Sequence, residues 1–599
     1  MAPLLVRGYV LTYDMVFVPR LELGRNLLGL EAAVARAVPG DLLVALASRL
    51  VPADVVQKLV LLGALVAAGT GAARLTPTRR PAAQAAAAAL YVWNPFVYER
   101  LVMGHWGLLI SYAALPLAAL AAIDLRVASS GGGADLRVAS SGPGAGLRVP
   151  RPTGAGRRLV LALAVAAAGS PPGGMIAAAV ALCVAAAPPW PRAGAVRRTG
   201  TVAGVALVVN APWLVPSLLR PGGVPVRPEG AAAFASRPDG PLGTVGSLVG
   251  LGGIWNSLAV PPGLGSWPWL AGFAVVLAVV ITGLPLLPRR LPPGAAGGLL
   301  LSAGLGLLLA AAYAIPWWRG LVDLVVAHVP GGGLVRDAQK FVAPLALVEA
   351  VAFGLGVERL LPALAARWAR PDPGGPSCPP ARWIGPAAAA GLIAAPVLLL
   401  PALAWGAAGR LAAVSYPDAF AEARTAMAAD PVPGAVLVLP WHLHLGFPWN
   451  GGRVVLDPAQ RWFTRRAVGN DDLELVGMTV PGEDPYGTRL GPLVRGAALL
   501  EPALPAAGVR YVLVFKVADW AAYGPRLSGL APVLDRPDLA LYRVPARPAE
   551  VRLPAPPVVP VAAADALAAV LVLGAAAGPL PAGVRKLVSS GRYPQGGRR

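Results

Sequence analysis

Trp269-Leu-Ala-Gly-Phe-Ala-Val-Val-Leu-Ala-Val-Val-Ile-Thr-Gly-Leu-Pro-Leu-Leu287 runs without a charge and stops at Arg289-Arg290. Roughly 20 apolar residues in a helix cross the hydrocarbon core of a bilayer, and a basic pair at one end marks the cytoplasmic side. This unit recurs along the chain. Of 599 residues, 56% are hydrophobic and 14% charged, and the mean hydropathy is +0.62. Soluble domains carry about a quarter charged residues, so a one-core soluble globule is excluded. The sequence predicts a polytopic α-helical membrane protein.

Apolar stretches of crossing length fall at 55–73, 82–97, 106–123, 201–219, 269–287, 294–317, 341–361, 384–407 and 558–577. Two shorter runs, 159–169 and 175–187, flank Ser170-Pro-Pro-Gly-Gly174 and read as two thin spans or as a re-entrant hairpin. About 11 spans are expected from this spacing. Arg79 and Arg80, the arginines from Arg126 to Arg158, then Arg192, Arg197 and Arg198, the pair Arg289 and Arg290, then Arg367, Arg370 and Arg382, and the basic tail from Arg585 fall on alternate connections. If these are cytoplasmic, residues 1–54, 94–105, 220–266, 318–340 and 408–557 are extracytoplasmic.

Four parts follow. Residues 1–54 read as a first extracytoplasmic loop with interfacial helices, and the long polar lead from Asp14 to Arg25 suggests an upstream span ahead of it. Residues 55–407 form the transmembrane helical domain. Within it lies a disordered cytoplasmic loop, 124–158, built on the repeat Asp124-Leu-Arg-Val-Ala-Ser-Ser-Gly and Asp135-Leu-Arg-Val-Ala-Ser-Ser-Gly. Residues 408–557 are more polar, with strand-like runs at Ala435-Val-Leu-Val-Leu439 and Val509-Arg-Tyr-Val-Leu-Val-Phe515, and predict a small extracytoplasmic α/β domain. Residues 558–599 give a last transmembrane helix and a basic cytoplasmic tail.

The net charge of +21 comes from Arg, with lysine only at Lys58, Lys340, Lys516 and Lys586. It reads as compositional bias plus topology, and no nucleic-acid partner is expected. Cys183 and Cys378 lie in separate parts of the topology, which leaves neither a disulfide framework nor a thiolate metal site. No P-loop, dinucleotide fingerprint, nucleophile elbow or zinc-protease motif is present.

Three constellations carry chemistry. Asp14, in Thr12-Tyr13-Asp14, is an acidic group just outside the membrane; it suits a general base for a hydroxyl acceptor, or plainly a helix cap or a water-facing charge. Glu99, Arg100 and His105 share the short turn from Asn94-Pro95 to Trp106, amid interfacial aromatics. Arg336 and Lys340 follow Gly331-Gly-Gly333 at the outer mouth of a span, where they suit a phosphate or pyrophosphate, or simple interfacial anchoring. Glu349 lies mid-span, where an ionisable group hints at a polar cavity. His442 and His444 lack further ligands in view, so no metal site is expected. Trp441, Trp449, Trp462 and Phe463 would stack on sugars or pack a core.

The polar first loop, the many short-looped helices, Asn94-Pro95 through Trp106, the Ser170-Pro-Pro-Gly-Gly174 break, Arg336-Asp337-Ala-Gln-Lys340 and the outer α/β domain together resemble the GT-C superfamily of membrane glycosyltransferases. The likeness extends to actinobacterial integral membrane proteins of that type and, more distantly, to the arabinofuranosyltransferases of the mycobacterial envelope. It implies transfer of a sugar from a polyprenyl-phosphate donor to a cell-envelope glycan acceptor on the outer face of the plasma membrane. Carried over, Asp14 is the catalytic base, Arg336 and Lys340 hold the leaving lipid phosphate, and Arg100, His105 and Glu99 add polar contacts. No cofactor is implied, and a divalent cation stays compatible. Here only one acidic residue stands at Asp14, where some members have two. A transporter or lipid flippase, or a non-catalytic scaffold of the same fold, would use the same helices.

Overall fold

The computed structural model describes residues 2–129, 154–189, 192–223, 229–329, 331–368, 381–475 and 477–577. Most of the predicted 124–158 loop, the basic tail and Cys378 lie outside these. The membrane part contains α1 (Gly40–Ala47), α2 (Ala53–Leu75), α3 (Pro81–Val92), α4 (Pro95–Val102), α5 (Trp106–Ser129), α6 (Ala155–Gly169), α7 (Pro171–Ala186) and α8 (Arg192–Leu218). It continues with α9 (Glu229–Ala233), α10 (Gly243–Val249), α11 (Trp267–Gly283), α12 (Leu287–Arg290), α13 (Ala295–Ala311), α14 (Arg319–His328), α15 (Ala343–Trp368) and α16 (Ala381–Leu399).

Among the described residues, seven helices are long and apolar enough to cross a membrane: Ala53–Leu75, Trp106–Ser129, Gly194–Leu218, Trp267–Arg290, Ala295–Ala314, Ala338–Ala363 and Val558–Ala577. The other expected crossings are shorter helices, and cap chemistry explains where they stop. Pro95 has no N–H and its ring clashes with a continuing helix, so α3 ends after 12 residues. The Asn94 side chain then accepts from Val97 N at 3.0 Å and starts α4. Ser170 does the same through Gly173 N at 3.1 Å, which divides the 159–187 stretch into two antiparallel helices of 15 and 16 residues.

The centre of the bundle is α5, packed on α2, α6 and α7. Small residues allow the approach: a Cβ on Gly107 or Gly169 would strike the backbone of the other. Ser111 Oγ donates to Ala166 O across the same seam at 2.7 Å.

One end of the bundle gathers the connections predicted to be outside, with Gln339 bonded to Gly252 O, Asn256 to Met103 and Arg410 to Leu258 O. The opposite end gathers predicted cytoplasmic arginines. Arg126 donates to Val184 O, Ala187 O and Pro293 O at 2.7–2.8 Å, and Arg290 pairs with Glu358 at 3.4 Å.

On the first of these ends stands the strand-bearing region. Its strands are β2 (Ala413–Val414), β3 (Ala435–Leu439), β4 (His444–Gly446), β5 (Val454–Leu456), β6 (Ala467–Val468), β7 (Leu473–Leu475), β8 (Met478–Val480), β9 (Val509–Phe515), β10 (Ala531–Asp535) and β11 (Leu539–Arg543); the N-terminal β1 is Tyr9–Val10. Helices α17 (Asp418–Ala428), α18 (Ala459–Trp462) and α19 (Pro485–Arg495) flank them, and α20 (Val558–Ala577) leads out. A five-stranded sheet has the order β10-β11-β9-β3-β6. Its antiparallel half is the β9–β11 meander, and β3 runs parallel to both β9 and β6. Every residue of β3 and β9 is buried, as their unbroken apolar runs require of central strands.

The N-terminal stretch is not a free loop. β1 pairs with β2, and Leu11, Val16, Val18, Leu21 and Leu27 share one core with Phe420, Trp462 and Phe515. The aromatics considered for sugar stacking belong to cores as well: Trp462 and Phe463 to this one, Trp441 to the other side of the sheet.

Asp457 lies in that body, 4% exposed, its Oδ1 accepting from Ala459 N at 2.8 Å while Oδ2 has no partner. Burial pushes the carboxyl up to about 7 against the opposing Ala459 hydrogen bond. The unfolded carboxyl titrates near 4, so the native state holds the extra proton between about pH 4 and 7 and loses stability as pH rises through that window. Asp457→Asn keeps the Ala459 bond and removes the charge. It should raise the melting temperature at pH 8, by on the order of a few kcal/mol of stability, and much less at pH 4.5. An equal change at both pH values would contradict this account.

Candidate functional site

The seat of Asp14 is built from backbone. Gly104 follows α4 at φ +73°, and any Cβ there would strike Thr12 O and Met15 N, so the tight turn 12–15 requires this glycine. The turn is then fixed from both sides. Asp14 N donates to Met103 O at 3.2 Å, and Thr12 Oγ1 to Val102 O at 2.9 Å. Tyr13 N donates to Val454 O, and Leu456 N to Tyr13 O, each at 2.8 Å. Asp14 therefore stands where the N-terminal segment, the end of α4 and the strand-bearing region meet.

Two imidazoles flank its carboxylate. His105 Nε2 lies 3.4 Å from Oδ2, and His444 Nε2 lies 3.5 Å from Oδ1. The side chain is 51% exposed. Burial of the site raises the Asp14 carboxyl, but the adjoining His105 and His444 imidazoles outweigh it and hold the group below the usual carboxylate range.

Behind His105 lies Arg100, with no solvent exposure. Its Nη1 donates to Asp337 Oδ2 at 2.7 Å and to His105 Nδ1 at 2.9 Å; Nη2 donates to Asp337 Oδ1 at 3.2 Å and to Gln339 Oε1. A guanidinium only donates, so Nδ1 of His105 must accept and Nε2 carries the hydrogen that faces Asp14. Gln339 Nε2 in turn donates to Glu99 Oε2 at 2.9 Å and to Gly252 O at 3.2 Å. Burial pushes the Glu99 carboxyl well up, with the neighbouring Asp239 adding to the effect and Arg100 opposing it. Burial likewise pushes Asp239 up to about 6 despite its bond from Gly253 N. Asp337 goes the other way: burial raises it, and the charges of Arg100 and Lys340 hold it well below the usual range.

A second cluster surrounds Glu483, in the loop between β8 and α19. Arg36 Nη2 lies 2.6 Å from Oε2, and Arg336 Nη2 lies 3.5 Å from Oε1. Arg220 Nη2 donates to Glu483 O at 2.6 Å, and Asp471 Oδ2 accepts from Glu483 N at 2.6 Å. Arg36 is also within electrostatic reach of Asp14, and Arg336 of Arg36 and Asp337, which links the two clusters. Arg336 packs over the Phe234 ring, 5.1 Å from its centroid, and borders a small cleft of about 30 Å³ whose other walls, including Ala231, Leu309, Tyr313 and Val322, are mostly apolar.

The predicted residues thus separate by position. Asp14 and His105 meet at an open surface. Arg336 faces Glu483, whereas Lys340 is 5% exposed and lies over the Phe341 ring at 5.6 Å. Glu99 and Arg100, expected to offer polar contacts to a ligand, are fully buried and support the site from behind. The expectation fails there because Asp337 and Gln339 arrive from a distant segment and supply buried partners to both side chains.

His444, Arg36, Gln339 and Glu483 are additional members that single-sequence reasoning did not select. The His442/His444 pair was visible, but the two diverge: His442 lies before β4 and bonds Glu474 at 2.8 Å and Asp519 at 3.2 Å. Nothing in the sequence joins Arg36 to Glu483. Among the described residues, no three His, Cys, Asp or Glu side chains gather as a metal-holding group.

No family model matches the chain, and no curated protein matches it. Solved structures do. The arabinofuranosyltransferase AftD from Mycobacteria superposes with a TM-score of 0.55 at 15% identity, over 90% of this chain and 38% of AftD. A mutant form of AftD gives 0.54 at 14% identity, over 90% and 40%. ArnT from Cupriavidus metallidurans gives 0.39 at 14% identity, over 88% and 94%. The chain therefore spans well under half the length of AftD and shares the fold of that part.

Proposed function

We propose that this chain is an integral membrane glycosyltransferase that moves a sugar from a polyprenyl-phosphate donor to a cell-envelope glycan on the outer face of the plasma membrane. The fold shared with AftD supports a membrane glycosyltransferase-like role. The observation that carries the finer reading is the setting of Asp14, a half-exposed carboxylate flanked by two imidazoles and within electrostatic reach of Arg36 in the arginine cluster.

In this reading the acceptor hydroxyl approaches the open half of Asp14. Its oxygen forms the new bond to the anomeric carbon, the bond from that carbon to the phosphate oxygen breaks, and the proton passes to Asp14. A carboxylate held below its usual range is a weak base, which suits a transition state in which the leaving bond breaks early and the hydroxyl gives up its proton late. Polyprenyl phosphate departs with the electron pair, and Arg336 offsets its charge, whereas Lys340, expected to share that role, is buried beside Asp337.

His105 has a defined part. With Nδ1 occupied by Arg100, its Nε2–H is aimed at Asp14 and keeps that carboxylate ionised and oriented. Arg100 is then a positioning residue, and Glu99 and Gln339 hold Arg100.

Asp14→Asn should lower transfer from a labelled polyprenyl-phosphate sugar in membranes by at least about 10²-fold, with the melting temperature of the purified protein unchanged. Transfer retained within a few-fold would remove Asp14 from the reaction. Arg100→Met leaves Asp337 and Gln339 without their buried donor. Loss of one partner of a buried ion pair costs about 3–5 kcal/mol, to be read as a lower melting temperature in detergent, with Arg100→Lys recovering part of it. A melting temperature unaffected by Arg100→Met would show the network to be dispensable.

A further inference from the structure

Two guanidiniums, from the N-terminal segment and from the turn before α15, converge on the two oxygens of one carboxylate, Glu483. Paired guanidiniums on two oxygens of a single anionic group are the arrangement by which proteins also hold phosphate. Here the anion comes from the protein itself. We infer that Arg36 and Arg336 form a binding site for the phosphate group of a ligand, and that Glu483 is its built-in competitor, which must swing out before a phosphate can enter. This deepens the proposed transferase reading, on which it rests only for the identity of the ligand.

The way Glu483 is mounted supports exchange of its side chain alone. Its main chain is pinned, the carbonyl by Arg220 and the N–H by Asp471, and the next N–H also reaches Asp471, at 2.5 Å. Its carboxylate has only the two arginines as ion-pair partners among the described residues. A Glu side chain turns about three bonds, so the carboxylate can leave while the loop stays. It also has reason to leave, because a phosphate among the same arginines would stand beside it with like charge.

The approach is open on one side and greasy on the other. The Arg36 side chain is 63% exposed, whereas that of Arg336 is 20% exposed and borders the mostly apolar cleft. A phosphate bearing an apolar chain satisfies both surroundings, and a free phosphate or pyrophosphate satisfies the first.

The alternative is that Glu483 is a staple, holding the strand-bearing region to the membrane part. The two roles predict opposite signs. If the carboxylate fills the site about nine-tenths of the time, its removal should raise phosphate affinity about tenfold; removal of a staple should leave affinity equal or lower it.

The experiment is a titration of the full chain in detergent micelles with two probes, farnesyl phosphate and inorganic pyrophosphate, followed by thermophoresis. Glu483→Gln should bind farnesyl phosphate several-fold tighter than wild type, and Arg36→Gln several-fold weaker. An equal gain for both probes identifies the phosphate group as sufficient, and a gain for farnesyl phosphate alone identifies a lipid phosphate. Unchanged or weaker binding by Glu483→Gln overturns the inference, as does failure of both probes to bind any variant. Should Glu483→Gln not fold, Arg36→Gln decides, and unchanged affinity there overturns it equally. Binding is read without transfer, so the gain should persist in the Asp14→Asn background. A gain without any detectable transfer activity would reject the transferase and leave the site standing.

Discussion

The Arg100 guanidinium has no contact with water, yet it joins three stretches of chain. It bonds Asp337 and Gln339 from the turn ahead of α15, braces His105 at the entrance of α5, and through Gln339 reaches Glu99 and the backbone at Gly252. A buried charge of this kind is tolerated only when its partners are all present, so the connections at this end of the bundle are fixed relative to one another. Nothing about the apolar helices alone would do this, because lipid tails are as apolar as the helix faces and give little preference for one rotation over another. The polar lock and the small-residue contacts at Gly107 and Gly169 therefore do different work. The glycines let helices approach, and the guanidinium chooses how the loops above them are set.

Legibility in the sequence follows from how local each constraint is. Crossing segments are visible because a bilayer demands an unbroken apolar length, and the breaks at Asn94-Pro95 and Ser170-Pro171 are visible because cap and proline chemistry act within a few residues. The buried strands β3 and β9 declare themselves by continuous apolar runs. By contrast β1 is two residues long and has no periodicity to read, so its union with β2 could not be seen, nor could the absorption of residues 9–27 into the strand-bearing body. Glu99 and Arg100 read as surface charges for the same reason: their partners lie in another part of the chain. Asp14 was found by its type and position, and His444, which completes its surroundings, was hidden by its apparent pairing with His442.

The two clusters differ in what they offer chemically. Around Asp14 the groups are imidazoles and a carboxylate, suited to protons. Around Glu483 they are guanidiniums, which keep their charge at any ordinary pH and suit a permanently ionised partner. Arg36 stands between them, close enough to sense both carboxylates. In the proposed transferase, such a division would keep proton transfer and anion binding adjacent without letting the cations quench the base outright.

The pairing of Tyr9 with Val414, and of Tyr13 with the backbone of Val454 and Leu456, also sets a schedule. The segment bearing Asp14 is made before the helices α1 to α16, but the strands that fix one side of its turn are made after them. Until then the N-terminal stretch is held from the helix side alone, by Gln57, Val102 and Met103, and closing so long a loop is slow. The Asp14 turn thus acquires its full setting only once β5 has been made, and a chain that stops short of β5 would leave the turn held on one side alone.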